Sequence, residues 1–86
     1  MDKRNIRSIS DLNLIAYLIC NGFKEVELPQ REDKHVYFYF PDSPELQAKM
    51  KEFYLGHPTV DAQIYSYHLK RLRTIVSELH RGKGVK

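Results

Sequence analysis

Residues 10–22 read SDLNLIAYLICNG and form the most apolar stretch of the chain. At 100° per residue, the apolar side chains of a helix with this sequence cover most of its circumference. Only Asn13, Tyr17 and Asn21 line a narrow polar strip. The stretch therefore predicts a first helix that is buried on several sides, with Tyr17 as a candidate for a surface contact.

Capping residues mark the ends of this helix and of a second one. Ser10 or Asp11 can accept hydrogen bonds from the amides of the first turn, and Gly22 can end the first helix in the left-handed conformation. The motif Ser43-Pro44-Glu45 supplies a cap, a proline at the first helical position and a negative charge near the positive end of the helix dipole. Gly56 is expected to end the second helix.

A third helix is predicted from Asp61 to about Arg81, and Gly82 is expected to stop it. The side chains that are expected to pack fall within one arc of about 140°. They are Ile64, Tyr65, His68, Leu69, Leu72, Ile75, Val76 and Leu79. This pattern is typical of a helix with one packed face and one solvated face.

Alternating residues predict two strands, at 23–28 and 35–40, with Pro29 to Lys34 as the hairpin link. If residue 26 pairs with 38 and residue 28 with 36, the apolar side chains share one face. The tip is then residues 31–33, where Asp33 can take a positive φ. Residues 5–9 are predicted as a short strand that leads into the first helix.

The predicted order, β-α-β-β-α-α, describes an α+β fold in which three helices pack on a small antiparallel sheet. The sheet consists of the hairpin and, where it forms, the N-terminal strand. Residues 1–82 are expected to be a single domain, and residues 83–86 a disordered basic tail. The predicted core is Leu14, Ile15, Leu18, Val26, Val36, Phe38, Phe40, Leu46, Met50, Phe53, Leu69, Leu72, Ile75 and Leu79.

Several motifs along the chain resemble a known family. They are SDLNLIA at 10–16, Gly22-Phe23, FPDSPEL at 40–46, Phe53-Tyr54 and LKRL at 69–72. With these motifs the chain resembles a family of small bacterial and phage proteins that is catalogued as a domain of unknown function. The resemblance implies a prokaryotic or phage setting, and it implies no known activity or catalytic residues.

Composition excludes several classes of protein. The chain has 86 residues, of which 42% are hydrophobic and 29% charged, proportions that indicate a folded soluble domain. No stretch approaches the roughly 18 apolar residues of a membrane span. Residues 1–10 lack the apolar core of a signal peptide, and the single cysteine, Cys20, cannot form an internal disulfide. We therefore expect a cytoplasmic protein.

The chain offers no recognisable catalytic or metal-binding motif. No two of its four histidines stand three or four residues apart, and Cys20 is isolated within the apolar helix. Glu25 and Glu27 are expected to be solvated residues of a strand, and the glycines form no phosphate-binding loop. The sequence predicts that the protein is not an enzyme, binds no metal and uses no cofactor.

Tyr37 and Tyr39 are candidates for a protein interface, together with Tyr17. Tyrosines on a strand resemble the stacking residues of sheets that bind single-stranded nucleic acid. However, Glu25 and Glu27 are expected beside them, where a phosphate backbone would run. A protein contact is therefore the preferred interpretation for this face.

The polar face of the third helix is a candidate nucleic-acid surface. The net charge of +3 is unevenly distributed, since residues 70–86 hold six basic residues and one acidic residue. Basic, hydroxyl and aromatic side chains together suit phosphate contacts, although an ordinary solvated helix face has the same composition. The candidates are Tyr67, Lys70, Arg71, Arg73, Thr74, Ser77, Arg81, Lys83 and Lys86.

The sequence thus predicts a small non-catalytic binding module. The first interpretation is a protein-interaction or homo-oligomeric accessory factor that associates through a sheet edge or the apolar first helix, with a homodimer as the expected form. The alternative is an accessory protein that binds DNA or RNA weakly and without sequence preference, through the basic third helix. No membrane or small-molecule partner is indicated.

Overall fold

The computed structural model describes residues 5–56 and 59–82. In chain order its elements are β1 (Ile6–Ile9), α1 (Leu12–Cys20), β2 (Glu27–Glu32), β3 (His35–Pro41), α2 (Pro44–Leu55) and α3 (Ala62–His80). This order is β-α-β-β-α-α, so the predicted α+β fold is confirmed. The tail predicted at 83–86, with Lys83 and Lys86, lies outside the described residues.

Each helix begins at a side-chain cap. Asp11, rather than Ser10, caps α1, and one carboxylate oxygen accepts from the amides of residues 13 and 14 at 3.1 and 3.3 Å. The Ser43 hydroxyl accepts from the amide of residue 46 at 3.1 Å, and Asp61 caps α3. Gly22 follows α1 with φ of 93°, the left-handed conformation that was predicted there.

The sheet has three antiparallel strands in the order β1-β3-β2. The predicted N-terminal strand therefore forms, and β3 is the central strand. In the β1–β3 register, Arg7 lies opposite Phe40 and Ile9 opposite Phe38. Side chains of opposed residues share a face of the sheet, so Arg7 and Ile9 are on the same face as Phe38 and Phe40.

The predicted hairpin register is wrong. Glu32 pairs with His35 and Arg31 with Val36, so the turn lies at residues 33–34 and β2 extends through Pro29, which was predicted to be loop. Asp33 has φ of 59°, as predicted, and this short turn fixes which residues pair. Proline is tolerated because β2 is an edge strand with a register shift between residues 27 and 30.

One apolar cluster connects the inward face of the sheet with all three helices. It includes Ile9, Leu14, Ile15, Ala16, Leu18, Val36, Phe38, Phe40, Leu46 and Leu72, all of them buried. Met50, Phe53, Leu69, Ile75 and Leu79 are partly buried against it. The predicted core is correct except for Val26, which lies just before β2 and is 39% exposed, although its amide donates to the carbonyl oxygen of Tyr39.

The first helix occupies the centre of this core. Residues 14–18 are all buried, and α1 contacts both α2 and α3. Its apolar circumference is therefore covered within one chain by the sheet and two helices. None of the helices among the described residues is long and apolar enough to cross a membrane.

Candidate binding surfaces

The face of the sheet opposite the helices is the first candidate surface, and we call it the open face. Pairing places Tyr37 and Tyr39 of β3 on this face, together with Ile6 and Ser8 of β1. From β2 it includes Glu27, Gln30 and Glu32, which oppose Tyr39, Tyr37 and His35. The His35 and Tyr37 rings lie 6.1 Å apart between centroids, so aromatic side chains line the central strand.

The open face is acidic along β2. Burial first, and then the charges of Glu32 and Glu27, raise the pKa of the Tyr39 hydroxyl above its ordinary value of 10.0. The predicted register placed Glu25 opposite Tyr39 and Glu27 opposite Tyr37, whereas Glu27 lies opposite Tyr39 and Gln30 opposite Tyr37. Negative charge beside the tyrosines opposes a phosphate backbone and favours a protein contact.

Tyr17 does not belong to a surface, so its prediction as an interface residue is wrong. Its side chain is 2% exposed, and its hydroxyl donates to a Glu52 carboxylate oxygen at 2.8 Å. The Phe53 ring packs at 5.3 Å from the Tyr17 ring. The polar strip on α1 is thus where α2 docks, and the tyrosine links the two helices. For the same reason, α1 offers no apolar surface for self-association.

The outer face of α3 is the second candidate surface. Tyr67 is 63% exposed, and it lines a shallow cavity of about 240 Å³ with Lys70, Arg71 and Thr74. The structure therefore brings these four predicted residues together. The Thr74 hydroxyl already donates to the carbonyl oxygen of residue 70 at 3.2 Å. Arg73, Ser77 and Arg81 are exposed on the same helix.

Arg71 also borders a second, larger cavity that the sequence did not predict. This cavity, of about 550 Å³, lies between residues 25–29 and α3, where Ile75 completes its lining. Glu25 and Glu27 are part of it, so acidic groups flank the basic face on one side. The signal for this cavity lay in Val26 and Leu28, whose alternation with glutamates was interpreted as a buried strand.

A third surface lies between β1 and α2, and sequence reasoning missed it. Arg7, Gln47, Met50, Lys51, Tyr54 and Leu55 line a groove of about 360 Å³, which we call the α2 groove. Tyr54 is 58% exposed and Leu55 79% exposed. Leu55 follows directly after Phe53-Tyr54, so a run of three large apolar side chains at a helix end was the available signal.

Two ion pairs fall within the described residues. The Arg7 guanidinium meets the Asp42 carboxylate with oxygen distances of 3.2 and 3.4 Å, and Lys49 meets Glu52 at 3.0 Å. The Gln47 amide and then Arg7 hold the pKa of Asp42 below its ordinary value of 3.8. The basic side chains of α3 that lie in the described chain are not in either pair.

One free cysteine, Cys20, lies among the described residues. Cys20 is half-buried, and burial, followed by the charge of Asp61, raises the pKa of its thiol. A raised thiol pKa lowers the fraction of reactive thiolate at neutral pH. Across residues 5–56 and 59–82, no three acidic, histidine or cysteine side chains are grouped to hold a metal ion.

With the geometry established, comparison with known proteins gives one family. A family model described as Domain of unknown function (DUF5659) matches residues 3–80. The chain belongs to this family. The match covers all six elements of the fold and the predicted resemblance is confirmed. No curated protein and no solved structure matches this member of the DUF5659 family.

Proposed function

We propose that this DUF5659 domain is a non-catalytic binding module that associates with another protein through the open face of its sheet. The position of Tyr37 and Tyr39 carries the proposal. Both lie on the central strand, on the face that the helical core does not use. Tyrosine is enriched at protein interfaces because it combines a large apolar area with a polar hydroxyl.

The surroundings of the tyrosines support a protein partner. Ile6, on the neighbouring strand, is 41% exposed and adds apolar area to the face. Glu27 and Glu32 border this area with negative charge on its β2 side, and charged groups at the margin of an apolar area are typical of the polar rim of an interface. The partner then carries basic side chains around an apolar contact. The single cysteine and the family resemblance support a cytoplasmic, bacterial or phage setting.

Site-specific photocrosslinking tests this proposal in the native cell. Benzophenone side chains replace Tyr37 or Tyr39 on the open face and, as matched controls, Tyr67 or Ser77 on α3. We expect a discrete protease-sensitive adduct from the two open-face positions and none from the α3 positions. Light scattering of the purified domain then shows whether the adduct is with a second copy.

The opposite pattern contradicts the proposal. Adducts from α3 alone that disappear after nuclease treatment identify a nucleic-acid binder. Absence of any adduct at Tyr37 and Tyr39, with the domain folded and expressed, rules out the open face as a binding surface. The conservative changes Tyr37→Phe and Tyr39→Phe keep the ring and serve to show which contacts need the hydroxyl.

A second candidate function, weak nucleic-acid binding, is favoured by the cluster of Tyr67, Lys70 and Arg71 on α3. Sequence-independent phosphate contacts give dissociation constants of about 10⁻⁴ to 10⁻⁶ M, and they weaken steeply with salt. The triple change Lys70→Ala, Arg71→Ala, Arg81→Ala should abolish such binding. Fluorescence anisotropy with a labelled oligonucleotide at low salt measures it, and equal binding by the triple variant would exclude α3.

A further inference from the structure

Within the described part of the chain, the outer edge of β1 presents backbone groups that have no hydrogen-bond partner. The amide of Asp42 donates to the carbonyl of Asn5 at 2.9 Å, which marks these two residues as a hydrogen-bonded pair. Hydrogen-bonded and non-hydrogen-bonded pairs alternate along an antiparallel ladder. The backbone N–H and C=O groups of Ile6 and Ser8 therefore point away from β3, and no described backbone group bonds to them.

The α2 groove lies beside this edge on the helix side of the sheet. Arg7, which lines the groove, shares the inward face with Phe40. The rest of the lining comes from α2, with Met50, Tyr54 and Leu55 as its apolar part. A strand added next to β1 would direct alternate side chains toward this groove, because successive side chains of a strand point to opposite faces.

We propose that β1 takes an extended segment of a partner protein as a fourth strand, with one large apolar side chain of that segment in the α2 groove. The inference rests on the proposed function and specifies how the partner is held. Backbone hydrogen bonds to Ile6 and Ser8 supply affinity, and the groove supplies selectivity for the side chain. Ile6 also belongs to the open face, so the two contacts are continuous.

Charge identifies the occupant as a different chain and not a second copy. If two copies of β1 paired through both of their outward residues, Ile6 and Ser8, a two-fold axis at Arg7 would relate the strands. This register sets the Arg7 residues of the two copies opposite each other, and like charges directly opposite each other destabilise a strand pair. The groove itself carries Lys51, which is in neither ion pair of the described residues, and Arg7, which is paired with Asp42. It therefore suits a segment whose inward face combines an apolar residue with a carboxylate.

A labelled peptide tests the edge directly. The peptide TVTFTET places Val, Phe and Glu on one face of a strand, and TVPFPET is its control because proline removes the pairing amides. We expect TVTFTET, at up to about 1 mM, to shift the NMR signals of Ile6, Ser8, Tyr54 and Leu55. The control peptide should shift none of them.

Matched variants locate the contact. Ser8→Pro removes an outward amide that the described ladder does not use, and it should weaken TVTFTET binding by about tenfold or more. Arg31→Pro removes an outward amide from the other edge and should leave binding unchanged. Leu55→Glu, at a highly exposed position, should weaken binding by a similar factor to Ser8→Pro without affecting the fold.

Three results overturn this inference: no shifts at the highest peptide concentration, shifts confined to Tyr37 and Tyr39 or to α3, or equal binding by Ser8→Pro. A dimer that Ser8→Pro abolishes would place a second copy at the edge and also overturn it. The proposed function fails separately, through the crosslinking experiment. Protein adducts at Tyr37 and Tyr39 without peptide shifts at β1 would reject the edge alone.

Discussion

The two edges of the sheet differ in how they are protected against pairing. The β2 edge contains Pro29, a register shift between Glu27 and Gln30, and a run of charged side chains, all of which discourage an added strand. The β1 edge has no proline and a regular register. Its one charged side chain, Arg7, pairs with Asp42 through two contacts and would repel only a strand that sets another cation opposite it.

The helices reinforce this difference. On the β2 side, α3 approaches residues 25–29, and Arg71 lines the same cavity as Glu25 and Glu27. On the β1 side, α2 leaves an apolar groove bordered by exposed Tyr54 and Leu55. In this three-stranded sheet, the β2 edge is therefore protected against an added strand, and the β1 edge remains available for one. We therefore expect the chemistry of the edges, more than the apolar first helix, to determine where a partner docks.

The largest expected effect is a loss of unfolding free energy when the core beneath both edges of the sheet is disrupted. Leu18 is fully buried in α1, beneath the sheet. Leu18→Ala should lower the free energy of unfolding by about 2–5 kcal/mol, because it removes packed methyl groups and leaves a cavity. A urea melt measures the loss, and Leu55→Ala is the exposed control. A loss below about 0.5 kcal/mol would show that α1 is not central.

A smaller effect should follow at the turn that sets the β2 register. Asp33 adopts φ of 59°, which β-branched residues strongly disfavour. Asp33→Val should cost about 1–2 kcal/mol of unfolding free energy and loosen β2 relative to β1. Asp33→Gly is the matched control, because glycine takes this conformation without strain. Equal melting midpoints for the two variants would show that the turn does not determine the register.

Much of the fold follows from local chemistry that the sequence displays. Asp11 and Ser43 were recognised as possible caps, and the predicted ends of the three helices lie within a residue or two of the observed ones. The inward residues Val36 and Phe38 were identified because alternation on a central strand reports burial directly. Such features depend on residues that are close in sequence, which is why they can be predicted from a single sequence.

The register of β2 and the binding surfaces depend instead on tertiary contacts. Pro29 suggested a loop, yet an edge strand with an irregular register accommodates it. Tyr17 looked exposed on a helical wheel, because no sequence pattern shows that Glu52 and Phe53 would pack there. The α2 groove was invisible for the same reason, since β1 and α2 meet only in the folded molecule.

The smallest expected effect is an acid-induced weakening at the β1 edge. The Gln47 amide and the Arg7 guanidinium lower the pKa of Asp42 below its ordinary value of 3.8. The contribution of this carboxylate to stability is therefore complete above that value, and it is lost as the pH falls through the lowered folded-state pKa. The pair is partly exposed, so the effect should be modest and should shrink in high salt.

Asp42→Asn keeps an oxygen for the Gln47 amide but cannot ionise. Urea midpoints of the wild type should exceed those of Asp42→Asn at neutral pH and converge with them in acid. Because both proteins retain Glu52, whose pKa is also lowered, their difference isolates the β1 edge. Parallel loss of stability in the two proteins on acidification would show that the Arg7–Asp42 pair does not hold this edge.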